Sequence, residues 1–135
     1  MKKTIYLAVL FLVIGMTATS CKKDETDPVT VVGFWQGKYS NVSTPTTFSF
    51  GYAALLRSDG TCRFFSSTDT TTASKAEGTY SLTGSTLNAT YTYISPGSGT
   101  YSVTATVNSV NAYMEGTWGS GTSTTNGGSF FLHKP

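Results

Sequence analysis

The sequence, 135 residues long, predicts an all-β fold on three observations: an eight-stranded antiparallel up-and-down β-barrel. Beyond Val32 no stretch of helical length carries apolar residues at a period of about 3.6. Apolar and polar residues alternate instead, in eight segments of strand length. The connections are short and marked by Gly, Asp and Asn, so consecutive strands are expected to pair as a meander. Eight twisted strands joined in this way tend to close, which removes their exposed edges. A two-sheet β-sandwich of Greek-key type is the competing arrangement, but it needs long crossovers that are hard to find here.

The segments follow in order. The first is Phe34–Ser40, and the second, Thr46–Ser58, places Phe48, Phe50, Tyr52, Ala54 and Leu56 on one face. Ser58-Asp59-Gly60-Thr61 then predicts a tight hairpin, because Asp-Gly suits positive φ angles. The third segment, Thr61–Thr68, carries Cys62, expected as a small buried apolar residue with no disulfide partner. Ser66–Ser74 is almost all Ser, Thr and Asp and reads as a solvated, flexible connection. Lys75–Thr83 and Thr86–Tyr93 flank the turn at Thr83-Gly84-Ser85, with Leu87, Ala89, Tyr91 and Tyr93 opposite a row of Thr and Asn. Thr100–Val107 sets Tyr101, Val103, Ala105 and Val107 against Thr100, Ser102, Thr104 and Thr106. Such Thr ladders favour extended backbone through β-branching. Asn108–Asn111 turns the chain into Ala112–Trp118, and a Gly-, Ser-, Thr- and Asn-rich loop, Gly119–Gly128, leads to the last segment, Gly128–Lys134.

The chain before the barrel reads as an address, with residues 1–20 a signal peptide, 21–32 a tether and 33–135 the barrel domain. Lys2 and Lys3 precede the apolar run Ile5–Ile14, which is too short to cross about 30 Å of hydrocarbon. Ala18-Thr19-Ser20-Cys21 resembles a bacterial lipobox, and the resemblance implies that Cys21 is lipidated and becomes the mature N-terminus. Lys23-Asp24-Glu25 resembles the basic-then-acidic signal that exports lipoproteins of the Bacteroidota to the cell surface. The expected location is therefore the outer membrane, with the domain held by lipid and facing the cell exterior. Asp69-Thr70-Thr71 resembles the O-glycosylation triplet of the same bacteria, which implies a modification at Thr70.

Charge and composition narrow the functional classes. The formal net charge of +2 vanishes once Lys2 and Lys3 leave with the signal peptide, so the hint of an anionic partner goes with it. Charged residues make up 12% of the chain, with no basic face for nucleic acid. His133 is the only His, so no His-based triad or His metal cluster can be assembled. Asp59, Asp69, Glu77 and Glu115 are scattered, and Glu77 and Glu115 are expected in surface ion pairs. The expectation is a protein that is not an enzyme and carries no metal or cofactor.

Gly33-Phe34-Trp35 at the start of the first segment resembles the opening motif of lipocalins and related calycins. That resemblance implies that Trp35 lies across the closed end of the barrel as a structural plug. With Asp59-Gly60-Thr61, Gly78-Thr79-Tyr80-Ser81-Leu82-Thr83-Gly84 and Glu115-Gly116-Thr117-Trp118-Gly119, the region from Val32 to Pro135 is similar to small lipocalin-like lipoproteins of the Bacteroidota. Its strand count is similar to that of avidin-type barrels as well. A barrel of this size is either filled by side chains or holds one small ligand. Tyr80, Tyr91, Tyr93, Tyr101 and Trp118 are the expected lining for a small, mostly apolar ligand. Two other readings stand beside it: a surface module binding glycan or protein, and a packed structural accessory of an outer-membrane system.

Overall fold

The computed structural model describes residues 30–94 and 97–135. The expected signal peptide, Cys21 and the tether as far as residue 29 lie outside the described residues. Eight strands follow one another: β1 (Gly33–Ser40), β2 (Phe50–Leu56), β3 (Thr61–Phe65), β4 (Lys75–Thr83), β5 (Thr86–Tyr93), β6 (Thr100–Val107), β7 (Tyr113–Ser120) and β8 (Gly128–His133). Each pairs antiparallel with the next, and β8 returns to β1 with Gln36 opposite His133 and Ser40 opposite Ser129. The sheet is a closed up-and-down barrel, as the alternation predicts, and not a sandwich.

Turn chemistry explains the tight connections. In the β2–β3 hairpin the Asp59 carboxylate accepts from the Thr61 N–H at 2.9 Å and its hydroxyl at 2.6 Å, while Gly60 takes φ +82°. Gly84 takes φ +60° between β4 and β5. The Ser66–Ser74 connection is built rather than loose. Asp69 accepts from the Thr71 N–H at 3.1 Å and the Thr71 hydroxyl at 2.6 Å, and Ser66 and Ser74 clasp the ends at 3.0–3.1 Å.

Alternation puts one face of every strand inside. Trp35, Leu56, Leu87, Met114 and Leu132 are fully buried, with Phe64, Phe130 and Val103 among the other filled core positions. Burying each of the large side chains contributes roughly 1.5–3 kcal/mol. Trp35 is 0% exposed, and its indole N–H donates to the Val31 carbonyl at 2.8 Å, across the end where the chain enters. Lys134 lies over the same ring, 5.1 Å from its centroid.

One expected inner face needs correction. Phe48 and Phe50 do not continue the buried row of Tyr52, Ala54 and Leu56. The ladder begins only at Phe50, which is 45% exposed at the rim, and the chain before it runs outside the barrel. There Phe48 meets Phe131 edge to face at 5.1 Å, and Ser129 ties the segment down through the Ser43 carbonyl at 2.6 Å. An aromatic partner on the outer wall replaces the interior.

Closure relies on backbone contact at inward positions. A Cβ added at Gly37 would run into the Phe131 carbonyl, one at Gly78 into that of Thr90, and one at Gly116 into that of Thr104. Glycine at these positions lets β1, β4 and β7 coil sharply against their neighbours. Gly116→Ala is expected to destabilise the barrel by about 3 kcal/mol, since the obstacle is backbone that cannot step aside. Gly84→Ala, at a turn with open space around it, costs about 1–2 kcal/mol through its left-handed backbone alone. Urea midpoints of the two variants, compared at one pH, check the order; equal losses would refute the close-approach explanation.

Candidate functional site

The barrel has a closed end and an open end. The closed end holds Trp35 and Val31 together with the hairpins β2–β3, β4–β5 and β6–β7. At the open end the inward row turns aromatic. Tyr39 of β1, Tyr52 of β2, Tyr91 and Tyr93 of β5, Tyr101 of β6 and Trp118 of β7 surround a cup of about 130 Å³, with Asn41 just past β1. These residues share the cup because alternation points them all inward and the register levels them. Tyr91 stands opposite Tyr101, and Tyr52 opposite Gly37.

Adjacent walls meet at steep angles. Tyr39 and Trp118 are 5.8 Å apart at 89°, and Tyr93 and Tyr101 are 5.7 Å apart at 84°. Below the cup the interior is solid. Phe64 stacks on Tyr91 at 4.1 Å and on Tyr52 at 5.5 Å, while Phe130 meets Tyr52 from the side. At the floor the hydroxyls of Tyr52 and Tyr91 share a hydrogen bond of 2.6 Å.

Trp118 is held in place from two sides. Its indole N–H donates to the Ser40 carbonyl at 3.0 Å, and its ring lies where any side chain at residue 127 would sit. Only Gly127 fits there. The Asn126 amide oxygen accepts from the Ser120 N–H at 2.8 Å, so the polar β7–β8 loop is a brace for the ring.

Of the five ring residues expected from the sequence, four come together: Tyr91, Tyr93, Tyr101 and Trp118. Tyr80 does not join them. It faces inward near the closed end, where its hydroxyl donates to the Arg57 carbonyl at 2.7 Å. Tyr39, Tyr52 and Asn41 complete the cup and were missed. The spacing Trp35-Gly37-Tyr39 carried the signal for Tyr39, while Asn41 lies beyond the strand pattern and carried none. A second hollow, of about 310 Å³, lies outside the wall between β4, β5, β6 and the side chains of Thr122 and Thr124. Its lining is mostly Ser, Thr and Asn, with Tyr80 as its one aromatic residue, in place of the ring of aromatic faces that lines the cup.

The acidic side chains of the barrel are engaged elsewhere. Glu77 pairs with Arg57 at 3.3 Å and with Arg63 on the outer wall, and Glu115 accepts from the Tyr113 hydroxyl at 3.0 Å. Asp59 and Asp69 are occupied within their own turns, which holds both carboxyls below their usual range. His133 is exposed on β8, and Cys62 is buried and free. Burial first, and Glu77 second, pushes the Cys62 thiol up to about 12. Thr70 is half-buried in the loop that Asp69 organises.

The cup therefore has no formal charge in its lining, and it penalises one. Burial, then the neighbouring Tyr39, pushes Tyr93 up to about 12. Burial likewise raises Tyr39 and Tyr91, and Tyr52 well above its usual value, in Tyr52 with Tyr91 as the next cause. No protein-family model, curated protein or solved structure matches this chain.

The raised phenols fix a pH dependence. Unfolded tyrosines ionise near pH 10, while Tyr52, Tyr91 and Tyr93 stay neutral in the folded barrel, so the unfolded state binds fewer protons there. This stability is fully present below pH 10 and is lost as pH rises above it. Urea midpoints should fall between pH 9 and pH 11.5, and Tyr52→Phe/Tyr91→Phe should fall less steeply. Equal slopes in the two proteins would show that these phenols are not the cause.

Proposed function

We propose that this chain is a lipid-anchored outer-membrane protein, exposed at the cell surface, whose barrel mouth binds one small ligand without catalysis. The observation that carries the binding half is the uncharged, ring-lined cup, open at one end and floored by solid packing. Small-molecule sites are concave and mostly apolar, with a few polar groups that fix orientation. The lipocalin-like course supports a calyx of this kind, but the filled barrel leaves no channel for an acyl tail. A ligand of about one ring is what the space accepts.

The anchor half rests on the lipobox-like Ala18-Thr19-Ser20-Cys21. Two or three acyl chains hold a protein stably, at roughly 0.8 kcal/mol for each buried methylene. Residues 22–30 join Cys21 to Val31 at the closed end, a reach of about 30 Å when extended. The described chain enters at the closed end, opposite the cup, which supports a mouth facing away from the membrane. The Bacteroidota-type export signal at Lys23-Asp24-Glu25 supports a cup that faces the medium.

Two measurements on the producing cell test this. Labelled palmitate should enter the protein, and Cys21→Ser should abolish the label. Protease added to intact cells should remove the domain; a domain shielded until the outer membrane is broken would overturn surface exposure. For the cup, Trp118→Ala should weaken any bound small ligand at least tenfold while leaving the Trp35 environment unchanged.

A further inference from the structure

The floor of the cup carries an unfilled demand, which narrows the ligand of the binding module proposed above. Tyr52 and Tyr91 each bring one O–H, and their oxygens are 2.6 Å apart. Only one proton can lie between them. The second O–H has to point elsewhere, and no acceptor among the described residues meets it. Both residues are 4% exposed, and both line the cup. A buried donor without a partner costs about 1–3 kcal/mol, so whatever fills the cup is favoured if it brings an acceptor to the floor.

The walls narrow the ligand further. The hydroxyls of Tyr39, Tyr93 and Tyr101 have no hydrogen-bond partner among the described residues, and Asn41 adds an amide at the rim. The cup thus offers polar groups at its floor and around its rim, with ring faces between them. A hydrocarbon would leave the floor O–H unpaired. A quaternary ammonium ion suits ring faces but brings no acceptor. A carboxylate or phosphate would bury a charge with no cation in the lining, and burial raises Tyr39 and Tyr93, so negative charge is disfavoured there. What remains is a neutral ring with C–H faces and oxygen at several points of its edge.

We infer that the cup receives a single neutral pyranose ring, seated with one of its oxygens accepting from the Tyr52–Tyr91 pair and its faces against Tyr93, Tyr101 and Trp118. The volume of about 130 Å³ admits one ring, so a longer glycan would enter by its end and continue into solvent. This inference rests on the cup being a binding site at all, and the test keeps the two claims apart.

The full chain is purified in a detergent without a sugar headgroup, and its two indole N–H resonances are followed during titration. The probes are methyl glucopyranoside, methyl galactopyranoside and methyl mannopyranoside, set against cyclohexanol, tetramethylammonium and acetate. The expected result is a saturable shift of the Trp118 resonance with at least one pyranoside, while Trp35 at the closed end stays still. The near-isosteric Tyr52→Phe/Tyr91→Phe is expected to lose at least tenfold in affinity for that pyranoside. If this pair of changes unfolds the barrel, Tyr93→Phe/Tyr101→Phe at the rim should lose at least threefold. If cyclohexanol or tetramethylammonium shifts Trp118 and no pyranoside does, the sugar assignment is overturned and the binding module stands. If no probe shifts Trp118, both fall. Undiminished pyranoside binding by folded phenylalanine variants would overturn the seating on the hydroxyls.

Discussion

The fold depends on the return of β8 to β1. That ladder, from Gln36–His133 to Ser40–Ser129, turns a meander with two open edges into a cylinder with none. Closure at eight strands fixes the width, and the width leaves room for side chains from opposite walls to meet. The inward glycines belong to the same constraint. Neighbouring backbones press together at Gly37, Gly78 and Gly116, where any side chain would hold them apart. A cylinder this narrow, filled by Trp35, Leu56, Phe64 and Phe130, has only its ends left for chemistry.

The two ends divide the work. One is sealed by Trp35, whose indole N–H is satisfied by Val31 and whose face is covered by Lys134. The other is left open by tyrosines, whose rings pack like core while their hydroxyls reach toward water. Trp118 shows how much structure is spent on the open end. It takes the Ser40 carbonyl, a loop residue without a side chain and the Asn126 brace to hold one ring upright. A ring held from several sides presents its face at little entropic cost to a ligand.

The sequence made the strands legible because alternation and turn chemistry are local. β4, β5 and β6 run from Lys75, Thr86 and Thr100 to Thr83, Tyr93 and Val107, the bounds that the Thr ladders and tight turns indicate. Alternation extends the second segment to Thr46–Ser58, beyond the Phe50–Leu56 strand, because it records which side a residue faces and says nothing of whether a partner strand is present. Phe48 keeps the rhythm while lying on the outer wall. The same blindness explains Tyr80. Alternation separates inside from outside but not the closed end from the open one, and height in the barrel is set by register between strands far apart in sequence. The polar loop Ser66–Ser74 looked loose by composition, yet its Asp and Ser residues are those that make self-closing turns.

The hydroxyls at the cup floor bear on whether the barrel is a filled accessory or a site. Phenylalanines at positions 52 and 91 would occupy almost the same space, stack on Phe64 in the same way and leave no donor unpaired. A barrel selected for packing alone gains nothing from a second buried O–H, which costs free energy wherever it lacks an acceptor. That cost disappears when an acceptor oxygen from outside reaches the floor. Because Phe64 and Phe130 pack against the pair and both tyrosines line the cup, such an oxygen reaches them through the mouth. The Tyr52–Tyr91 contact thus ties the packing of the barrel to the polarity of what enters it, and makes the open end the place where this fold meets its surroundings.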